Sequence, residues 1–274
     1  MKLKYYLKDY LSEDDMSSLV TSFDVVGDIA IIIVPDELVA HEGRIAESVL
    51  ASNRKIRVVA KRAGNYEGEF RTVPLEILAG EERKETEVRE FGIRLSLNPE
   101  SVYYSVRSGH ERRRIASLVE DNESVMVFFS GVAPFPLVIS KFSGARSIIG
   151  IEKNPIAHRY GTCNLRLNRK LNNIRLYLGD AEEIASTLSA VFDRVIMPLP
   201  THAEKFLSSA LRILKPGGWL HFYDLQRIHQ FHASIEKVVS VCESHNRAVE
   251  STVVTRCGHT APRTYRICID ARIE

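Results

Sequence analysis

A turn of small residues after one strand-like segment and an acid at the end of the next could together bind a nucleoside. The apolar run 125–129 leads into the sequence SGVAPF at 130–135, and the apolar run 148–151 ends at Glu152. Small residues let a backbone approach a ligand, and an acid at the tip of the next strand can accept hydrogen bonds from two ribose hydroxyls. The pattern therefore indicates a nucleoside-binding crevice, although any buried βαβ unit can carry a glycine turn and a nearby acid.

The turn lacks the G-x-G-x-x-G spacing that cradles a pyrophosphate in dinucleotide-binding folds. It therefore suits a nucleoside ligand without a pyrophosphate, of which S-adenosylmethionine is the commonest. Gly131 would supply close backbone approach or a positive φ, whichever ligand binds.

The elements around this turn alternate regularly between strand and helix. Apolar patterning, proline and glycine positions predict strands at 125–129, 148–152, 174–178, 194–197 and 219–223. They are separated by predicted helices at 134–142, from an N-cap at Asn154, at 181–188 and at 202–214. A helix at 231–245 and two β-rich runs, 248–257 and 264–273, follow. Such alternation predicts a parallel sheet with helices on both faces and an antiparallel hairpin at its edge. This order matches the sheet of class I methyltransferases, a Rossmann-like α/β fold.

The first part of the chain has a different pattern. A β-branched apolar run at 23–34 and a helical segment at 37–50 precede short strands at 56–61, 70–78 and 88–97. This mixture predicts a small α+β domain. The predicted division is 1–118 for the N-terminal domain and 119–274 for the Rossmann-like domain.

Composition excludes several classes of protein. No apolar run approaches the roughly 20 residues that span a bilayer, and no signal-peptide core follows Met1, so no membrane partner is expected. The four cysteines show no C-x-x-C spacing, which fits reduced thiols in a cytoplasmic protein better than a metal site.

Basic residues are concentrated in two places, although the net charge is only +2. Six Lys or Arg residues and no acid occur between Lys153 and Leu176, and Arg112, Arg113 and Arg114 are consecutive. Charge runs are usually solvated helix faces. Because both runs flank the predicted crevice, they are equally compatible with a polyanionic substrate.

The order and spacing of several motifs resemble the Met-10-like family of tRNA guanine-37 N1-methyltransferases and related wybutosine-pathway aminocarboxypropyltransferases. The resemblance covers nearly the whole chain. It includes SFDVVGDIA at 22–30, EVREFG at 87–92, YSVR at 104–107, ERRRI at 111–115, Asn164, Asn168, Gly179 and HFY at 221–223. The loop FSGVAPF at 129–135 resembles the methyltransferase branch more than the aminocarboxypropyl branch.

The resemblance implies an S-adenosylmethionine site at the ends of the first four strands of the Rossmann-like domain. Glu152 would hold the ribose. Asp180 would meet the adenine amino group, or would instead be the N-cap of the helix that follows it. The residues implied to bind the cofactor are Phe129, Ser130, Gly131, Val132, Ala133, Glu152, Lys153, Asn154, Asp180, Ala181 and Met197.

The resemblance also implies residues for catalysis and for binding tRNA at the anticodon stem-loop. Glu123 matches the family's proposed general base, which would take the proton from guanine N1. Arg89 and Arg107 match arginines that contact base and phosphate, although either could instead pair with a nearby glutamate. Arg112 and Arg113 would add contacts to RNA phosphates.

Two residues depart from the family pattern. Val127 stands where the first strand usually ends in Asp, so Glu152 and Asp180 would anchor the cofactor without it. Pro198 stands where methyltransferase members carry an Asn that helps to hold the target base, and proline offers neither a side-chain amide nor a backbone N–H. Base recognition at this catalytic position would then fall to backbone carbonyls near 197–199, or to Thr201 or His202.

Three functions remain open from the sequence. The leading hypothesis is methyl transfer to N1 of guanosine 37 in tRNA. The second is aminocarboxypropyl transfer to a tricyclic guanosine derivative, since the chain begins where archaeal guanine-37 methyltransferases have already completed an extra N-terminal domain. The third is a non-catalytic RNA-binding relative, to which Val127 and Pro198 point.

Overall fold

The structure is a computed structural model that describes residues 2–188 and 191–274. The chain forms two compact units, Met1–Val106 and Arg107–Glu274. Among the described residues, no helix is long and apolar enough to cross a membrane.

The first unit is a small α+β domain, as the sequence predicts. Its elements are α1 (Lys2–Leu7), α2 (Glu13–Ser18), β1 (Asp24–Val26), β2 (Ile29–Ile32), α3 (Glu42–Ser52), β3 (Val58–Arg62), β4 (Leu75–Gly80), β5 (Thr86–Glu90) and β6 (Ile93–Leu97). Strands β1 to β4 form one sheet in chain order, in which only β2 and β3 are parallel, because α3 crosses over between them. Strands β5 and β6 form a separate antiparallel pair.

The predicted apolar run 23–34 is a hairpin rather than one strand. Gly27 turns the chain between β1 and β2 with φ of +62°, a value that L side chains rarely adopt. A Cβ at Gly27 would also lie 2.1 Å from the Thr86 hydroxyl oxygen, so the tight turn requires glycine.

The second unit contains the predicted seven-stranded sheet. Its elements are α4 (Gly109–Leu118), β7 (Ser124–Val127), α5 (Pro134–Phe142), β8 (Ser147–Glu152), α6 (Pro155–Leu167), β9 (Ile174–Leu178), α7 (Ala181–Thr187), β10 (Phe192–Met197), α8 (Leu207–Ile213), β11 (Leu214–Arg227), α9 (Phe231–Ser244), β12 (Val249–Ala261) and β13 (Thr264–Ile273). The strand order is β12-β13-β11-β10-β7-β8-β9. Strands β7 to β11 are mutually parallel and β13 is antiparallel to both neighbours. The class I order and the edge hairpin are therefore confirmed.

Helix α4 lies in the second unit, whereas the sequence places the boundary after residue 118. Its polar side chains explain this membership. Glu111 accepts a hydrogen bond from the Tyr223 hydroxyl on β11, and Arg114 pairs with Asp270 on β13. The assignment of the first unit as an RNA-binding module stays a prediction.

The predicted helix 202–214 is shorter in the structure. A 3₁₀ turn at Ala203–Phe206 precedes α8, and β11 begins at Leu214, directly after α8. Leu214 pairs with Phe192 and Trp219 with Arg194, so the intervening Lys-Pro-Gly-Gly segment bulges out of the ladder. The Arg247 guanidinium donates to the carbonyls of Leu211 and Leu214, which caps the end of α8.

Candidate cofactor and active site

The loop after β7 lies against the end of β8. Three of its residues have left-handed backbone conformations, with φ of 54° at Phe129, 58° at Gly131 and 69° at Ala133. Two of these residues have a Cβ, so the conformation costs energy that the surrounding contacts must offset. The Ser130 N–H donates to the Ile151 carbonyl at 2.8 Å and the Gly131 N–H donates to a Glu152 carboxylate oxygen at 2.7 Å. These contacts fix the loop at the carboxyl end of β8.

Glu152 is the acceptor that organises this edge of the sheet. One carboxylate oxygen accepts from the Gly131 N–H, and the other accepts from the Asn154 N–H at 2.7 Å. Burial raises the pKa of Glu152, and the hydrogen bonds from backbone N–H groups oppose this shift. A carboxylate has about four acceptor positions, and the N–H groups of Gly131, Asn154 and Lys153 do not fill all of them, which leaves room for a ribose hydroxyl. Glu152 thus also holds the loop, a role that sequence reasoning missed.

The next two helices begin with capping side chains at the same edge. The Asn154 side chain accepts from the N–H groups of Ile156 and Ala157, which confirms the predicted N-cap of α6. Asp180 accepts from the Glu182 N–H at 2.8 Å and pairs with Lys153 at 3.2 Å. The N-cap role of Asp180 is therefore present, and its contact with adenine stays a prediction.

The loop 129–133 together with Glu152, which we call the nucleoside cradle, has features that fit a nucleoside ligand. The Ser130 hydroxyl is buried and has no hydrogen-bond partner among the described residues. A Cβ at Gly150 would lie 2.9 Å from the Ser130 side chain, so β8 needs glycine opposite this loop. The buried Asn164 side chain donates to the Val132 carbonyl at 3.0 Å. The orphaned hydroxyl and the spare acceptor positions of Glu152 are suited to a nucleoside ligand.

The other predicted cofactor residues have mostly buried side chains, and their contacts with the cofactor stay predictions. The side chains of Val132, Ala133, Ala181 and Met197 are buried. Phe129 packs edge-on against Phe206, with the ring centroids 4.9 Å apart.

The segment after β10 makes a tight turn around Pro198. The Leu199 N–H donates to the Met197 carbonyl at 2.8 Å, and Pro198 is half-buried between them. This three-residue turn uses one acceptor position of the Met197 carbonyl, one of the groups that the sequence suggested for base recognition.

The structure argues against Glu123 as the general base. Glu123 immediately precedes the first residue of β7, so about 13 Å of strand separates it from the cofactor loop that follows the last residue. Both of its carboxylate oxygens accept hydrogen bonds from the Arg194 guanidinium, at 2.7 and 2.8 Å. Glu123 is therefore a structural ion-pair partner at the amino end of the sheet.

The three consecutive arginines at 112–114 are fully or partly buried and make contacts within the second unit. Arg112 is only 3% exposed, and the Arg113 guanidinium lies 3.9 Å from the Phe142 ring centroid. Arg114 pairs with Glu111 and Asp270. The prediction that Arg112 and Arg113 form a solvent-facing RNA contact is wrong for Arg112, because a buried guanidinium is not available to phosphates.

Arg89 and Arg107 are exposed, as an RNA contact requires. Arg89 makes a long contact of 3.3 Å with Glu87 while 77% of its side chain stays accessible. Arg107 begins the second unit, within a short 3₁₀ turn. Their roles in RNA binding stay predictions.

A buried hydrogen-bonded network, which the sequence did not indicate, crosses the second unit. It runs through Glu123, Arg194, His221, Asp270, Arg114, Glu111 and Tyr223. The Glu111 carboxylate receives the Arg114 guanidinium at 2.7 and 2.8 Å and the Tyr223 hydroxyl at 2.5 Å. Phe222 of β11 pairs with Met197 at the end of β10, and Tyr223 is the next residue along β11. The Tyr223 ring packs against Phe135 of α5. Glu111 therefore lies at the carboxyl edge that carries the cofactor loop.

His221 is the neutral member of this network. A guanidinium can only donate, so the Arg194 contact of 2.7 Å requires an unprotonated Nε2, and the proton on Nδ1 is donated to Asp270 at 2.5 Å. Burial lowers the pKa of His221, and Arg194 lowers it further. His221, Cys268 and Asp270 also have a metal-like spacing, but Arg114 and His221 already occupy the Asp270 carboxylate.

The sheet order and the nucleoside cradle at its carboxyl edge define a class I methyltransferase. The model of the TRM5/TYW2 methyltransferase domain matches residues 86–250, and the model of the TYW2 N-terminal domain matches residues 3–83. The chain belongs to the TRM5/TYW2 family, which confirms the family that the sequence resembles.

Named relatives within this family carry out two different reactions. The chain is 35% identical to the tRNA (guanine(37)-N(1))-methyltransferase Trm5b of Pyrococcus abyssi, over 93% of this chain and 76% of the relative. It is 31% identical to the tRNA(Phe) (4-demethylwyosine(37)-C(7)) aminocarboxypropyltransferase of Methanocaldococcus jannaschii, over 92% of this chain and 98% of the relative. A solved complex of aTrm5 and tRNALeu superimposes with a TM-score of 0.83 at 31% identity, covering 100% of this chain and 78% of that one.

We predict that His221 makes the protein sensitive to mild acid. The unfolded chain protonates this histidine near its ordinary pKa of 6.5, whereas the folded chain resists protonation, so the free energy of unfolding should fall as pH decreases below that value. One proton corresponds to at most about 1.4 kcal/mol per pH unit. His221→Gln, which can donate to Asp270 and accept from Arg194, should reduce this slope by about one proton in denaturant titrations between about pH 6.5 and 5.

The matched control for this prediction is His229→Gln, because His229 is exposed. It should keep the pH dependence of the wild-type protein. An identical pH dependence in wild type and His221→Gln would contradict the assignment of His221 as a buried neutral group.

Proposed function

We propose that this protein transfers a methyl group from S-adenosylmethionine to N1 of guanosine 37 in tRNA. The observation that carries the proposal is the 35% identity to the Pyrococcus abyssi guanosine-37 methyltransferase over 93% of the chain. S-adenosylmethionine is the cofactor of the family, and the nucleoside cradle beside Glu152 suits its adenosine part. The tRNA complex of a related Trm5 supports tRNA as the partner.

The cofactor would be held by residues that the structure already orders. Glu152 would accept from the ribose hydroxyls, and Asp180 would accept from the adenine amino group. The Ser130 hydroxyl and the backbone around Gly131 would complete the cradle. The bound cofactor supplies an electrophilic methyl group on a sulfonium sulfur, and the protein has to position the base and remove its proton.

Glu111 lies at the carboxyl edge, and a base role for it requires the substrate to displace the Tyr223 hydroxyl, because both of its oxygens already accept hydrogen bonds from Arg114 and Tyr223. Glu123, by contrast, lies at the opposite end of β7. Burial raises the pKa of Tyr223, so this hydroxyl keeps its proton and orients the carboxylate by donating to it. Arg114 balances the charge of Glu111 in its buried surroundings. We therefore assign the base role to Glu111 in place of Glu123.

Replacing these two glutamates separates the two assignments. Glu111→Gln should lower kcat by about 10²- to 10⁴-fold, the usual contribution of a general base, with cofactor affinity nearly unchanged. Glu123→Gln should lower the melting temperature by weakening the Arg194 pair but should keep kcat near that of the wild type. Single-turnover methylation and titration calorimetry would measure both effects. A large loss of kcat in Glu123→Gln alone would restore the original assignment.

The second candidate function is aminocarboxypropyl transfer to a tricyclic base at the same tRNA position. Two observations favour it. The first unit matches the TYW2 N-terminal domain, and Pro198 offers no amide to a guanine. The loop sequence at 129–135 and the higher identity to Trm5b favour methyl transfer.

The products distinguish these reactions. Purified protein would be incubated with S-adenosylmethionine and three tRNA transcripts, carrying guanosine 37, adenosine 37 or a tricyclic precursor at position 37. We expect 1-methylguanosine and S-adenosylhomocysteine only from the guanosine-37 transcript. Release of methylthioadenosine with the tricyclic tRNA would instead establish aminocarboxypropyl transfer, and absence of any product would favour a non-catalytic relative.

Glu152 should control cofactor affinity. Glu152→Gln keeps the shape of the side chain but removes its charge and one acceptor for the loop N–H groups. Because hydrogen bonds to charged groups contribute about 1.5–3 kcal/mol, cofactor binding should weaken by about 10- to 100-fold in titration calorimetry. Glu182→Gln, at an exposed acid in the first turn of α7, is the control and should bind normally. Equal affinities for Glu152→Gln and the control would remove Glu152 from the cofactor site.

A further inference from the structure

Six cations form an exposed stripe on the second unit, along α6 and onto β9. These residues, the α6–β9 basic stripe, are Lys153, Arg159, Arg166, Arg169, Lys170 and Arg175. All six are exposed, and no acid occurs between the first and the last of them. Lys153 directly follows Glu152, so one end of the stripe adjoins the nucleoside cradle.

Most of the stripe cations lack the ion pairs that engage many cations of the first unit. Lys153 pairs with Asp180, but the other five side chains have no hydrogen-bond, ion-pair or ring partner among the described residues. In the first unit, by contrast, eight basic side chains each contact at least one carboxylate: Arg44, Arg57, Lys61, Arg62, Arg83, Lys84, Arg89 and Arg94. The free positive charge of the stripe therefore has no internal structural use.

Helical geometry places two of the cations, Arg159 and Arg166, on one face of α6. Arg159 and Arg166 are seven residues apart on α6, which is about two turns and about 10 Å along the helix axis. Arg169 and Lys170 lie in the turn that follows the end of α6. Arg175 lies on β9, the edge strand of the seven-stranded sheet, on the strand face opposite to Leu176, whose side chain contacts α6 at Gly161. Four of the cations, Arg159, Arg166, Arg169 and Lys170, thus follow α6 and the turn at its end, and Arg175 lies at the adjacent sheet edge.

Two simpler roles for such cations account for only part of the stripe. Basic residues on an edge strand discourage pairing with another sheet, but only Arg175 lies on the strand itself. Solubility requires charge of either sign, and mixed signs serve it best. Neither role explains why acids are absent from the whole segment.

We propose that the α6–β9 basic stripe binds the phosphate backbone of the tRNA substrate next to the cofactor cradle. The proposal rests on the proposed function, since it assigns a surface to the same partner. Unpaired exposed guanidinium and ammonium groups bind phosphates without sequence preference and release counterions as they do so. This surface would take the role expected of Arg112, which the fold buries.

The test compares salt dependence in two variants of equal charge. The stripe variant carries Arg166→Gln, Arg169→Gln and Lys170→Gln. The control variant carries Arg54→Gln, Lys55→Gln and Arg212→Gln, three exposed cations outside the stripe. The affinity of the full-length protein for an unmodified tRNA transcript would be measured across a range of salt concentrations. Melting temperature and cofactor binding would verify that both variants fold.

In a plot of log affinity against log salt concentration, the slope of the stripe variant should be smaller in magnitude than that of the wild type by about two to three units. Its affinity for tRNA near 0.1 M salt should be about 10- to 100-fold weaker. The control variant should keep the wild-type slope. An unchanged slope in the stripe variant, or an equal loss in both variants, would overturn the proposal.

Methyl transfer to tRNA by the wild-type protein is measured in parallel, so that the two proposals fail separately. If the wild-type protein modifies tRNA and the stripe variant binds tRNA as the wild type does, only the stripe proposal is overturned. A wild-type protein that neither binds nor modifies tRNA overturns both the stripe and the proposed function.

Discussion

The hydrogen bond between the Gly131 N–H and the Glu152 carboxylate is the contact on which the site depends. It joins the loop after β7 to the end of β8 and stabilises a backbone in which three of five residues, from Phe129 to Ala133, are left-handed. Without the Glu152 carboxylate, the strained loop would lose the side-chain hydrogen bond that holds it to β8 and would keep only backbone contacts such as that of Ser130 with Ile151. The same carboxylate retains acceptor positions that face donors other than the loop. Loop conformation and nucleoside binding are therefore coupled through one side chain.

The buried ionic network explains why several conspicuous charges are structural. Burying an unpaired ion costs several kcal/mol, so a buried arginine is tolerated only with carboxylate partners in good geometry. Arg194 and Arg114 each satisfy this condition with a forked contact to a glutamate, and His221 with Asp270 connects them. The network pairs Glu123 with Arg194 at one end and Glu111 with Arg114 and Tyr223 at the other. Both glutamates are therefore held by an arginine, Glu123 at the amino end of β7 and Glu111 at the carboxyl edge of the sheet.

The parts of the fold that follow local rules could be predicted from the sequence. The strands β8 and β9, the helix α5 and the Asn154 cap depend on apolar runs, a proline in the first turn and a capping side chain, all of which are local. The end of α8 agrees with the prediction within one residue, but its cap comes from Arg247, more than thirty residues away, which no local pattern indicates. The roles of Glu123, Arg112 and Tyr223 likewise depend on partners distant in sequence, which no spacing rule reveals.

Net charge conceals how the charges of this chain are distributed. A value of +2 gives no indication of a polyanionic partner, yet the cations of the first unit largely face carboxylates, whereas those of α6 and β9 largely face none. Only unpaired charge can exchange counterions for phosphates, so the pairing state of each cation matters more than the count. The consecutive arginines of α4 have the higher local charge density, but packing against Phe142 and the ionic network remove them from that exchange. This difference in pairing is why we propose the α6–β9 basic stripe, rather than the consecutive arginines of α4, as the RNA-binding surface.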